Sequence, residues 1–183
     1  MEITLNYLKI VLIEIAFVSA HLDAASFVGD SVYVSALPGF SRAGFEILTK
    51  NLPHSPAFSR ALSQFKSPEL DPALMRTFKS AHALCDVSDS LLVQAEQISK
   101  ASSVAIEIDT KKIEKSDGFA DLAAIAQTLD CDVWDLVLGG GEDHVLLATG
   151  VNLPGICIGR VIEGSGVKVL EMKKAPDSWR HFN

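Results

Sequence analysis

Asp86 and Asp89 stand three positions apart, with Ser88 between them, in the stretch CDVSDSLLVQ (residues 85–94). Two carboxylates and a hydroxyl ahead of an apolar run admit two kinds of chemistry. One is helix capping. A helix beginning near Asp89 leaves its first N–H groups open, Ser88 caps them, and Asp89 offsets the positive end of the dipole. The other is a metal or phosphate site. Magnesium takes oxygen ligands and keeps several waters, so two aspartates and phosphate oxygens suit it. Asp86 adds weight to the second reading. A cap needs one oxygen, and a further carboxylate adds repulsion unless a cation offsets it.

A second candidate stretch is GGGEDHVLL, residues 139–147. Successive glycines permit positive φ and close approach to a ligand, and their N–H groups can form an anion-accepting nest. Glu142 and Asp143 then stand at the start of a strand, a common place for site residues in α/β domains. The bland alternative is a flexible turn with solvated charges. Glu107 and Asp109 share one face of the alternating run SVAIEID, which reads as a solvated edge. Trp179 is either a tail anchor or an aromatic surface for a flat ligand. The five histidines show no metal-ligand spacing and read as surface or satisfied side chains. There is no P-loop, no Gly-x-Gly-x-x-Gly after a strand and no Gly-x-Ser-x-Gly elbow.

The elements that must carry these residues alternate in type. SVYVSA, SVAIEID and HVLLAT read as strands, and GICIGRVIEGSGVKVLEM reads as a hairpin around Gly164-Ser165-Gly166. SRAGFEILTKN is helical with Ala43, Ile47 and Leu48 inward, and DPALMRTFKSAHAL (residues 71–84) starts another helix, with Asp71 as N-cap and Pro72 at the first helical position. SDSLLVQAEQISKAS places Leu91, Leu92, Ala95 and Ile98 on one face. FADLAAIAQTLD and DVWDLV add further helices. Interleaved helices and short strands give an α/β (α+β) class with a mixed sheet flanked by helices.

Composition bounds the function. Of 183 residues, 48% are hydrophobic, enough for a sizeable core. A net charge of −7 argues against a general nucleic-acid or anionic-membrane binder, but not against a nucleotide held through magnesium. Cys85, Cys131 and Cys157 form no paired motif, which fits reduced thiols in the cytoplasm. KIVLIEIAFVSA (residues 9–20) contains Glu14 and lacks a basic start, so it reads as a buried strand rather than a signal peptide or membrane span.

Taken together, DVSDSL, SSVAIEID and LGGGEDHVLL resemble, in order and spacing, the C-terminal half of thiamine-monophosphate kinase. Upstream LDAASFVGDSVYVSALPGFSRAGFEIL, and downstream IGRV and SWRHF, extend the resemblance from Leu22 to Phe182. It implies the fold of the C-terminal domain of aminoimidazole ribonucleotide synthetase-like proteins. It also implies transfer of the γ-phosphoryl of ATP to thiamine phosphate, making thiamine diphosphate. By the same resemblance Asp86 and Asp89 bind magnesium, Ser88 contacts ATP, and Glu142 and Trp179 contact thiamine phosphate. The chain departs from the usual motifs at Asp23, Ser90, His144 and Val145, where an arginine, a glycine, an aromatic and a carboxylate are usual.

The family's N-terminal domain carries most of its metal-binding aspartates. At this length the chain is expected to hold a remnant strand of that domain (residues 1–20) and a C-terminal synthetase-like domain (residues 21–183). By that expectation the chain alone is nearly inactive as a kinase and self-associates through KIVLIEIAFV. The alternatives are a non-catalytic binding or interaction domain that keeps the fold, and another phosphate-transferring member of the superfamily.

Overall fold

The computed structural model describes residues 25–68, 72–172 and 176. Residues 1–20, Asp23, Asp71 and Trp179 lie outside them.

The chain runs β1 (Ser31–Val34), α1 (Phe40–Thr49), α2 (Ser59–Lys66), α3 (Pro72–Thr77), β2 (Ala83–Asp86), α4 (Leu91–Ser102), β3 (Ala105–Ile108), α5 (Thr110–Glu114), α6 (Phe119–Leu129), α7 (Val133–Val137), β4 (Leu146–Gly150), β5 (Ile156–Ile162) and β6 (Gly166–Val169). The six strands form one mixed sheet in the order β2-β4-β1-β5-β3-β6. Among the described residues only the β3–β6 pair is parallel.

Helices close on the sheet because its inward residues are apolar. Val32, Val34, Ile106, Ile108 and Leu147 pack with Phe40, Ala43, Ile47, Leu91, Ala95, Leu122 and Leu136 in the main core. A smaller cluster of Phe78, Leu84, Leu146, Ala148 and Leu153 covers the other face of β2 and β4. β4 is therefore buried on both faces, which is why its sequence LLATG shows no apolar–polar alternation. α1 and α2 approach closely at Gly44, where any Cβ would strike the carbonyl oxygen of Ala61.

Three expectations are corrected by this packing. Leu48 is 39% exposed on α1, so the inward stripe there is Phe40, Ala43 and Ile47. β5 and β6 are not paired as a hairpin, because β3 lies between them and pairs with each. That makes β3 internal, so Glu107 is not at a solvated edge. It is 6% exposed and faces Arg160 and Lys168 in register on the flanking strands. Arg160 Nε donates to Glu107 Oε1 at 2.7 Å, and Lys168 Nζ stands 3.7 Å from Oε2. Asp109 instead caps α5, accepting from Lys111 N–H.

Candidate functional site

β2 ends at Asp86, opposite Leu146 at the start of β4. The antiparallel pairing continues past both strands. Val87 N–H donates to Val145 O at 2.7 Å, His144 N–H to Val87 O at 3.1 Å, and Glu142 N–H to Ser88 O at 2.8 Å. The two stretches singled out in the sequence, 54 positions apart at Ser88 and Glu142, thus share one backbone ladder. Asp86, Ser88, Asp89 and Glu142 come to one end of the sheet.

The glycine run does not act through positive φ. None of Gly139, Gly140 and Gly141 adopts it; Glu142 (φ 63°) and His144 (φ 52°) do. A left-handed non-glycine residue costs roughly 1–2 kcal/mol, and here the ladder bonds hold both in place. The glycines are buried, and Gly140 is needed for space: a Cβ there would meet Leu136 O and stand 2.8 Å from Arg42 Cβ.

Asp143 points inward and is 2% exposed. Its carboxylate accepts from Gly39 N–H at 2.7 Å and from Ser41 N–H at 3.0 Å, at the start of α1. Gln64 Nε2 donates to its carbonyl at 2.8 Å. Burial raises its pKa to about 6, against the backbone N–H donors and the charge of His144, which pull it down. Asp143 thereby hangs the glycine loop from α1.

His144 replaces an aromatic of the usual motif and stands between two carboxylates. Its Nδ1 is 3.6 Å from Asp86 Oδ2 and its Nε2 is 3.5 Å from Glu142 Oε2, ion-pair distances rather than short hydrogen bonds. Burial disfavours the imidazolium, but Asp86 and Glu142 more than offset it and push the pKa up to about 9. Both ring nitrogens of the histidine are thus paired with carboxylates. Its bridging role is not visible in the sequence; the one signal is its place two residues after Glu142 on a strand lead-in. Burial also pushes the Cys85 thiol well up, and Asp86 adds to the effect.

The helix cap expected at Ser88 belongs to Ser90. Ser90 Oγ accepts from Val93 N–H at 3.2 Å, and α4 begins at Leu91. Leu92 N–H donates to Leu138 O, so two early N–H groups of α4 are satisfied within the protein. Ser90 is fully buried and the cap explains why a hydroxyl stands there. Ser88 Oγ accepts from Gln94 Nε2 at 3.4 Å, and its carbonyl is engaged by Glu142. Among the described residues no group of three or more His, Cys, Asp or Glu side chains is placed to hold a metal ion. A cleft of about 420 Å³ opens elsewhere, between α4 and β6, bounded by Leu92, Glu96, Val167 and Met172. It contains none of these carboxylates. No helix among the described residues is long and apolar enough to cross a membrane.

No family model matches the chain. It is 35% identical over 166 residues to a thiamine-monophosphate kinase of Aquifex aeolicus, covering 85% of this chain and 52% of that protein. A thiamine-monophosphate kinase of Methanopyrus kandleri is 43% identical over 98 residues, 51% of this chain and 31% of that one. The solved structure of AaThiL complexed with AMPPCP and TMP superposes with a TM-score of 0.73 at 33% identity, covering 87% of this chain and 53% of the other. The hydrogenase maturation protein HypE of E. coli shares the fold at a TM-score of 0.56 and 17% identity. The chain spans about half the length of the curated relatives it matches. The mixed sheet flanked by helices is the fold these neighbours share, as expected from the sequence.

Proposed function

We propose, from kinship with thiamine-monophosphate kinases in sequence and fold, that this chain carries the part of such a kinase site built by Asp86, Ser88, Asp89 and Glu142. The reaction is transfer of the γ-phosphoryl of ATP to the phosphate of thiamine phosphate, giving thiamine diphosphate and ADP. The observation that carries this reading is the backbone pairing of residues 87–88 with residues 142–145, which gathers the carboxylates of both motifs.

Asp86 and Asp89 are the residues that would hold magnesium. They are oxygen donors of the kind the ion takes, and water and phosphate oxygens complete such a shell. Bound magnesium neutralises phosphate charge, the main demand of phosphoryl transfer. Ser88 offers its hydroxyl to ATP. Glu142 takes the thiamine-phosphate side, with the Trp179 indole against a flat ring. Two carboxylates are few for a complete kinase, so the chain by itself is expected to bind better than it turns over. Cys85, Cys131 and Cys157 are free thiols, which suits action in the cytoplasm. Self-association through KIVLIEIAFV is expected in light scattering, and a clean monomer would count against it.

Calorimetry tests the reading. Thiamine phosphate is expected to bind, and to bind differently with magnesium and a non-hydrolysable ATP analogue present. No heat from either ligand at millimolar concentration overturns it. Binding with little or no turnover is the expected result, whereas turnover by the purified chain overturns the expected inactivity.

A further inference from the structure

We propose that His144 is a positioning residue that ties the Asp86 side of the site to the Glu142 side, so that occupation of one side changes affinity at the other. The coupling rests on the functional reading above. The bridge itself rests on geometry alone.

The His144 side chain is 8% exposed, and each ring nitrogen addresses a different carboxylate. The ring cannot turn toward one without leaving the other. Its backbone is fixed in the left-handed region and donates to Val87 O, next to Asp86 in sequence. Glu142 is held the same way on Ser88 O. Neither loop can therefore shift alone. Both carboxylates keep an open face, being 25% exposed at Asp86 and 40% at Glu142. A ligand that draws Asp86 away removes one of the two partners that orient the ring, and Glu142 alone then sets its position. The coupling is reciprocal by thermodynamic necessity. An aromatic without ring nitrogens, as in the usual motif, cannot address both carboxylates in this way.

The test uses the full chain with nitrogen-15 in the histidine ring. Asp86→Asn is expected to move the Nδ1 resonance of His144 more than Nε2, and Glu142→Gln the reverse. If neither substitution moves either nitrogen, the bridge is overturned. The second arm titrates thiamine phosphate. Asp86→Asn is expected to weaken binding about fivefold or more in the wild-type background, and to leave it within about twofold when combined with His144→Phe. Equal weakening in both backgrounds overturns transmission through the ring. Should His144→Phe fail to fold by circular dichroism, His144→Tyr takes its place. If thiamine phosphate does not bind the wild-type chain while the ring resonances behave as expected, the functional reading falls with the coupling, and the bridge stands.

Discussion

Asp143 and Gly39 are 104 positions apart, and the Asp143 carboxylate accepts the Gly39 N–H at 2.7 Å inside the core. That bond, with the one from Ser41, substitutes for a local cap at the start of α1, where Gly39 has no side chain to offer. The same carboxylate fixes the loop that carries Glu142 and His144. Helix start and site loop thus depend on one residue.

Replacing Asp143 by Ala leaves two buried N–H groups without an acceptor. The expected loss of stability is about 1–3 kcal/mol, read from urea unfolding. A change below about 0.5 kcal/mol would show that the bonds contribute little.

The two serines of DVSDSL separate cleanly. Ser90→Ala removes the cap of α4 and is expected to cost about 1 kcal/mol, whereas Ser90→Gly costs only a few tenths. Ser88→Ala removes no cap and takes away only the long 3.4 Å bond from Gln94 Nε2, so it is expected to cost less than Ser90→Ala. Equal losses at Ser88 and Ser90 would contradict the assignment of the cap.

Stability should fall on the alkaline side. The His144 pKa is raised from 6.5 to about 9 in the folded chain, so native His144 retains a proton that the unfolded chain releases. Its contribution is fully present below about 6.5 and lost as pH rises through about 9. The size is on the order of 3 kcal/mol. The Asp143 pKa is raised from 3.8 to about 6, so its contribution is present below 3.8 and lost as pH rises through about 6. Denaturant midpoints taken from pH 6 to 10 should decline in the wild type and much less in His144→Phe. Parallel curves for the two would remove His144 as the cause.

Trp179 gives an optical check on the proposed substrate side. A stacked ring should quench its emission when thiamine phosphate is added, and Trp179→Phe should abolish that change while Trp134 remains as an internal reference. Quenching that survives in Trp179→Phe would take the indole out of the site.

The sequence read well where local chemistry decides. The apolar face of α4, with Leu91, Leu92, Ala95 and Ile98, is buried as its spacing predicts. β1 and β4 form where β-branched and aliphatic residues cluster. It read less well at β3, because an alternating AIEI run fits an edge strand and an internal strand equally. Only the placement of β6 beside it decides between them. The cap moved from Ser88 to Ser90 because two hydroxyls two positions apart are equivalent to a local rule. The ladder bonds to Val145, His144 and Glu142 keep residues 87–88 extended and delay the helix.

The sequence by itself determined many of the element types and the two carboxylate-bearing stretches, since these follow from periodicity and residue chemistry over short spans; it missed β2, where DPALMRTFKSAHAL reads as helix but the helix stops at Thr77 and Ala83–Asp86 pairs with β4. Tertiary structure decided that Asp143 turns inward to α1, that Glu142 and His144 carry the positive φ beside three glycines that do not, and that His144 stands between Asp86 and Glu142. The physical reason is separation along the chain. Each of these features is a contact or a strain set by elements dozens of residues away, and no local pattern encodes which distant N–H or carboxylate will arrive.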